Sequence, residues 1–311
     1  MTMLANTAPI AGSRQRDWTI VGPPSSGTDG TLAGFVVPKS VIVDTTNGVH
    51  YVNEGTTASP YWTPVGYDQA PLFGVNSDWR DGAGMAISDT SGGLKIPGSG
   101  VRIFGQGSAD TDSGLVVQTS GEGGTLMRMT TTNEAEHLLA LGMDAGVMQP
   151  DQHQLMVIDV EFTNVSALTD RAMFCGFLGT AADALDPAVT GATTVATLVQ
   201  DDLAGLWFDS ALTDGDRIFA VHNKSDAAAT QDLTADGDTA VDIAAAGTYQ
   251  RFRVEIAADG DMTAFIDKVQ VYSQAIALDV DEECTPVFYL ESQAAAIKSA
   301  DVRRFAAWAY R

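Results

Sequence analysis

Positive charge is scarce in this chain. Among its 311 residues, 17 Lys and Arg stand against 40 Asp and Glu, a formal net charge of −23. The deficit is uneven: residues 1–100 carry 8 acidic against 5 basic side chains, and residues 101–311 carry 32 against 12. Such a surface repels a phosphate backbone, which argues against nucleic acid as a partner. Cysteine is nearly absent. Cys175 lies in the apolar run AMFCGFLG and reads as a buried thiol, whereas Cys284 follows Asp281-Glu282-Glu283 and reads as more exposed. Nothing in their spacing argues for a disulfide. The four histidines, His50, His137, His153 and His222, form no i, i+2 or i, i+4 pair, so no zinc centre is expected.

Other absences narrow the classes further. No Gly-x-Ser-x-Gly element occurs, nor a phosphate-binding Gly-x-x-x-x-Gly-Lys-Ser/Thr loop. The Gly-rich stretch Gly105–Gly114 lacks both the lysine and a long apolar strand before it. No run of about 18 apolar residues appears, so no membrane span is expected. The N-terminus, MTMLANTAPIAGSRQRDW, lacks a basic start followed by a continuous apolar stretch. It therefore predicts no signal peptide and a soluble product made in the cytoplasm.

What is present is core material cut by turns. The chain is 45% hydrophobic and 18% charged, has a mean hydropathy of +0.02 and contains 31 Gly. The clearest pattern is Tyr249–Val271, YQRFRVEIAADGDMTAFIDKVQV. Phe252, Val254 and Ile256 alternate with Arg251, Arg253 and Glu255, the period of a strand with two unlike faces. Asp259-Gly260-Asp261 supplies a turn, Met262, Ala264 and Ile266 resume the alternation, and Asp267-Lys268 turns again. Similar short runs recur from Val101 onward, which predicts a large antiparallel β-sandwich. Ala181–Gln200 and Lys224–Ala246 are low in hydrophobicity and are expected to be long loops. Ahead of the sandwich come an arm (1–25), a small β anchoring unit (26–66) and a linker with small local elements (67–100). In the small unit, Asn47-Gly48 predicts a two-residue turn with both residues at positive φ.

Candidate chemistry is sparse. Glycan-cleaving enzymes on sandwiches use paired carboxylates on one face. Asp159 and Glu161 fit the wet face of a strand, while Asp279, Asp281, Glu282 and Glu283 form an acidic turn without apolar bracketing. Asp-Gly-Asp occurs at 214–216, 236–238 and 259–261. Each reads either as a calcium loop or as an exposed turn, and none has a full EF-hand spacing. Trp207, Phe208, Tyr249 and Tyr289 are the rings available for a sugar platform, although one of Trp207 and Phe208 must lie in a core. Tyr61, Trp62 and Tyr67 suit a subunit interface.

Two stretches resemble known proteins. QLMVIDVEF from Gln154, LWFDS from Leu206, RIFAVHN from Arg217, the Tyr249–Val271 hairpin and VRRFAAWAYR from Val302 resemble a concanavalin/laminin-G-like jelly-roll domain. Here the last hairpin turn is Asp267-Lys268, where that family has an Asp-Gly-like turn. DTTNGVHYVNEGTTASPYWTPVG from Asp44 resembles a hairpin segment of tailed-bacteriophage virion proteins. Together they imply an all-β protein, a small N-terminal β unit plus a large antiparallel jelly-roll sandwich at 101–311. The implied role is a non-enzymatic capsid-decoration or head-fibre protein at the virion surface, a homotrimer. It would bind the major capsid protein or other virion proteins through residues 10–65. No catalytic, cofactor-binding or metal-binding residue and no cofactor is expected. The alternative is a tail-fibre protein recognising host glycan; a glycan-degrading enzyme would rest on Asp159 and Glu161.

Overall fold

In the computed structural model the described residues are 18–65, 72–77, 86–87, 94–95, 101–106, 114–119, 125–131, 133, 137–143, 148–179, 187–224 and 229–310. They form strands and one short 3₁₀ turn, Pro150–Gln152. The first strands are β1 (Trp18–Ile20), β2 (Val41–Asp44), β3 (Val49–Asn53) and β4 (Trp62–Val65). Then come β5 (Leu72–Ser77), β6 (Ala86–Ile87), β7 (Leu94–Lys95), β8 (Arg102–Gln106), β9 (Gly114–Thr119), β10 (Thr125–Thr130) and β11 (His137–Gly142). The middle holds β12 (Leu155–Asn164), β13 (Arg171–Leu178), β14 (Val189–Ala192), β15 (Val195–Leu198), β16 (Leu203–Asp209), β17 (Arg217–Asn223) and β18 (Ala229–Asp232). The last are β19 (Asp238–Asp242), β20 (Tyr249–Ala257), β21 (Met262–Ile266), β22 (Val269–Gln274), β23 (Thr285–Ser292) and β24 (Ser299–Tyr310). Among the described residues no helix is long and apolar enough to cross a membrane.

The chain divides into two compact units, Met1–Phe73 with Lys268–Gln270 and Tyr310–Arg311, and Gly74–Asp267 with Val271–Ala309. The first contains the sheet β1-β2-β3-β4, in which β1 runs parallel to β2 with Trp18 beside Ile42. Thus Trp18–Ile20, within the stretch expected as an arm, is a sheet strand. Tyr51, Tyr61 and Trp62 are buried with Ile42, Val49 and Val36. The Trp62 indole N–H donates to the Thr31 carbonyl at 3.1 Å, so the large ring keeps a polar partner. The turn after β2 differs from expectation. Its loop is four residues, Thr45–Gly48, and of Asn47 and Gly48 only Gly48 has a positive φ (68°). The buried Asp44 carboxylate accepts from the N–H groups of Thr46 and Gly22 at 2.9 and 3.0 Å, which closes the loop without a type I′ turn.

The second unit is an antiparallel sandwich. One sheet runs β22-β21-β20-β12-β24-β10-β9-β6 with β5 paired to β24; the other runs β19-β17-β16-β13-β23-β11-β8-β7. Three strands from the span expected as a linker, β5, β6 and β7, are therefore hydrogen-bonded into the large sheets. Between the sheets lies a core that includes Ile158, Val160, Phe162, Phe252, Val254, Phe208 and Phe288. Strands β13 and β23 are buried along their whole length, because both of their faces are covered. That is why RAMFCGFL and TPVFYLES read as near-continuous runs rather than alternations.

A third sheet, β14-β15-β18, comes from the two stretches expected to be loops. Val189, Ala196, Leu198 and Leu233 belong to a second core with Phe174, Trp207, Phe219, Val221 and Tyr289, on the outer face of the eight-stranded sheet. Gly191 makes the close approach possible. A Cβ there would lie 2.5 Å from the Trp207 ring.

Candidate functional site

The carboxylate pair expected from the sequence does not form an acid–base couple. Ile158, Val160 and Phe162 face the inter-sheet core, so Asp159 and Glu161 face the other side of the nine-stranded sheet. That side is not wet at Asp159, which is fully buried. Arg251 Nε donates to Asp159 Oδ1 at 2.6 Å and its Nη2 donates to Oδ2, while Arg304 Nη2 stands 3.8 Å away. Burial pushes this carboxyl up. The Arg251 hydrogen bonds and the charges of Arg251, Arg304 and Arg253 outweigh it and hold the group below its ordinary range. A general acid needs the reverse shift and a path to substrate. Glu161 pairs with Arg303 at 3.1 Å. Both carboxylates are therefore ion-pair members.

The other sequence candidates separate in the same way. In the acidic turn, burial and then the charges of Asp202, Asp281, Asp279 and Glu283 push Glu282 up. Cys284 is buried, contrary to expectation, because its backbone bridges to Met148 in both directions at 2.6 and 3.2 Å; both cysteines are free. The Asp-Gly-Asp segments serve as turns. Asp261 accepts from the Ile276 N–H at 2.7 Å and Asp238 from the Ala240 N–H at 2.8 Å, while the Asp214 carbonyl accepts from the Arg217 N–H at 2.9 Å. Trp207, Phe208 and Tyr289 are all buried, and the half-buried Tyr249 ring has the Arg303 guanidinium 3.8 Å from its centroid. Tyr61 and Trp62 are core residues of their own unit, and Tyr67 lies outside the described residues.

Exposed apolar side chains mark a different surface. In the small unit Phe35 is 75% and Val37 is 61% exposed, with the buried Val36 between them. The bend that displays them contains two non-glycine residues at positive φ, Leu32 (62°) and Lys39 (71°), each costing about 1–2 kcal/mol. It is held nonetheless. The Gly34 N–H donates to Thr57 O and the Lys39 N–H to Asn53 O, both at 2.7 Å, and Asn53 Nδ2 donates to Val37 O at 3.3 Å. Val36 plugs the core and fixes the two outward residues on either side.

One polar cluster outside these candidates draws on three segments of the sandwich. His222 lies near the end of β17, Asp236 in the turn between β18 and β19, and Tyr272 and Gln274 on β22. Strands β19 and β22 are end strands of the two large sheets. His222 Nε2 is 3.1 Å from Asp236 Oδ2 and 3.2 Å from the Tyr272 oxygen. The Tyr272 hydroxyl donates to Asp236 Oδ1 at 2.5 Å, and Gln274 Oε1 stands 3.4 Å from it. Burial first, then the hydrogen bond to Asp236 and its charge, push the Tyr272 phenol well above its ordinary value. The turn is pinned in place. Gln231 accepts from the His222 N–H at 3.2 Å and donates to the Asp236 carbonyl at 3.2 Å, and Gly237 takes φ 103° with Ala220 O where a Cβ would sit. No sequence signal marked this group, since His222 precedes Asp236 by 14 positions and Tyr272 by 50. Among the described residues, no three His, Cys, Asp or Glu side chains converge as a metal set.

No protein-family model matches the chain, and no curated protein matches it. Solved structures similar to it include the Emp47p carbohydrate recognition domain (14% identity, TM-score 0.45, covering 79% of this chain and 100% of that one). Another is an alginate lyase Aly36B mutant in complex with alginate trisaccharide (12%, 0.45, 76% and 98%). A third is a carbohydrate esterase from the Shiga toxin-encoding bacteriophage phi24B (13%, 0.41, 67% and 90%). Lectin-like and enzymatic neighbours thus occur together.

Proposed function

We propose that this protein is a non-enzymatic component of a tailed-bacteriophage virion, a decoration protein on the capsid exterior that attaches through its small N-terminal unit. The observation that carries this reading is the rigid Phe35–Val37 bend. It sets an aromatic and an aliphatic side chain into solvent on a backbone that is already ordered, so little ordering entropy opposes docking. The docked partner is the major capsid protein or a neighbouring virion protein, and the assembled form is a homotrimer. The acidic residues 101–311 suit display, because like-charged copies stay soluble and apart.

Co-sedimentation with capsid shells lacking the protein tests the attachment. Phe35→Ser with Val37→Ser should weaken shell binding by about 100-fold or more, the loss of two buried apolar side chains. Shells that bind the double variant as they bind the parent protein overturn it.

A second reading, recognition of host glycan by a tail-fibre protein, is favoured by one observation. Tyr249, with Arg303 and Glu161 beside it, is the one candidate ring that keeps surface exposure. A glycan array probed with the parent chain and with Tyr249→Ala decides it, since binding that does not depend on Tyr249 removes that surface.

A further inference from the structure

Arg171 is a fully buried cation whose partners are all neutral. It opens β13 in the eight-stranded sheet, and its guanidinium reaches across to strands of the nine-stranded one. Nη1 donates to Asn164 Oδ1 at the end of β12. Nη2 donates to Ser166 Oγ and, at 3.2 Å, to the Ser299 carbonyl at the start of β24. Among the described residues no carboxylate pairs with Arg171, whereas Arg251 has Asp159 and Arg253 has Glu255. Burial lowers the guanidinium to about 10, which leaves it charged at neutral pH. An enclosed charge of this kind is costly until an opposite charge answers it.

Donors also outnumber acceptors at this end of the sandwich. The Arg171 Nε hydrogen has no acceptor, although the atom is buried. Ser166 Oγ accepts from Arg171 Nη2 and, at 3.0 Å, from the Ser299 N–H, so its own hydrogen remains to be given. Lys298 is 5% exposed and brings a second cation to the same loop. Its Nζ donates one of three hydrogens to the Thr169 carbonyl at 2.6 Å, and the exposed Asp170 carboxylate stands 4.0 Å away. We propose that Arg171, Ser166 and Lys298 bind a small monovalent anion of the chloride type. Burial sets the class of ion. A monatomic anion is satisfied by a few N–H and O–H donors, whereas sulfate or phosphate needs donors around four oxygens and loses more hydration on entry. The ion has a structural consequence. Arg171 ties β13 of one large sheet to β12 and β24 of the other, so a bound anion steadies the join between the two layers.

The test is thermal melting of the full chain while sodium gluconate is exchanged for sodium chloride at constant ionic strength. That exchange keeps the screening of the net charge of −23 unchanged. Chloride should raise the melting temperature of the parent chain by about 3 °C or more, as linkage to a site in the folded state requires. Asn164→Asp sets a fixed carboxylate against Arg171. It should melt above the parent in gluconate and lose the chloride dependence. Circular dichroism checks that this variant folds. Should it fail, Ser166→Ala decides by the same measurement, with the chloride shift expected to fall by at least about half. Crystals grown in bromide should show an anomalous peak beside Arg171. A parent chain indifferent to chloride overturns the proposal, and so does a chloride shift that persists in full in the folded variant. Bromide found only elsewhere overturns it too, since a water molecule would then fill the place.

Discussion

On the outer face of the nine-stranded sheet, Asp159, Arg251, Arg253 and Glu255 stand within reach of one another. On the outer face of the eight-stranded sheet, Phe174, Trp207, Phe219 and Tyr289 lie under the small sheet β14-β15-β18. Strands β12 and β20 put Asp159 opposite Arg253, and Arg251 reaches across diagonally to Asp159. Arg253 also pairs with Glu255 at 2.6 Å and lies 5.3 Å from the Trp308 ring. Both outer faces bury large side chains; on the first the buried charges pair with one another, and on the second a lid of apolar residues covers the rings. On the first face Arg251 and Arg304 hold the Asp159 carboxyl below its ordinary range, and on the second the Trp207 and Tyr289 rings are covered.

The largest expected effect is on the roofed face. Trp207→Ala removes a fully buried indole and should cost about 3–5 kcal/mol, because the strands around it cannot collapse into the space. Thermal melting of the variant checks this, and a loss under about 1 kcal/mol would mean that the small sheet is loosely seated. On the charged face, Asp159→Asn should cost about 3 kcal/mol by removing the fully buried charge that Arg251 and Arg304 face. Adding Arg251→Met should recover most of that loss. If the double variant is no better than the single one, the buried pair is worth more than an apolar substitute and the symmetry between the faces fails.

These faces also show what the sequence made legible. The β20–β21 hairpin was readable because Phe252, Val254 and Ile256 alternate with charged residues, and the register follows that alternation through Ile256 opposite Met262. The same alternation misled at Asp159. A period of two says that one face is chemically unlike the other, and a face of paired charges shows the same period whether it meets water or protein. The sheet β14-β15-β18 was unreadable for the opposite reason. Each of its strands contributes few apolar contacts, such as Val189, Ala196 and Leu198, set among Thr, Gly and Asp. Local propensity could not supply the apolar face they cover, which is built from strands elsewhere in the chain. The cluster around His222 was illegible because no spacing rule links β17 to β22.

A smaller effect tests the seating of the roof directly. Gly191→Val places side-chain atoms where the Trp207 ring and Leu212 already lie, at 2.5 and 2.9 Å from a Cβ. It should cost about 1–3 kcal/mol, with the strain relieved by the small sheet lifting rather than by the eight-stranded sheet moving. Hydrogen exchange reads this locally. Amides of β14 and β15 should lose protection while those of β13 and β16 keep it. Equal loss in all four strands would make the roof an integral layer of the sandwich.

The smallest effect, and the sharpest contrast, is a pair of pH dependences of opposite sign. Asp159 is held below its ordinary range, so its contribution is present above the unfolded carboxylate value of about 3.9 and is lost as pH falls through the lower folded value. Asp209, on the roofed face, is pushed the other way. Burial raises it more than the Ala211 N–H and Gln293 lower it, and no cation is among its causes. The fold therefore penalises ionised Asp209 above its raised value, and the penalty disappears below about pH 3.9. Asp209→Asn should accordingly gain about 1 kcal/mol or less at neutral pH and nothing near pH 3. Asp159→Asn should lose stability at neutral pH and lose less as the pH drops. Urea denaturation of the parent and the two variants across that range measures both slopes. Two slopes of the same sign would mean that the faces differ in composition but not in how they hold charge.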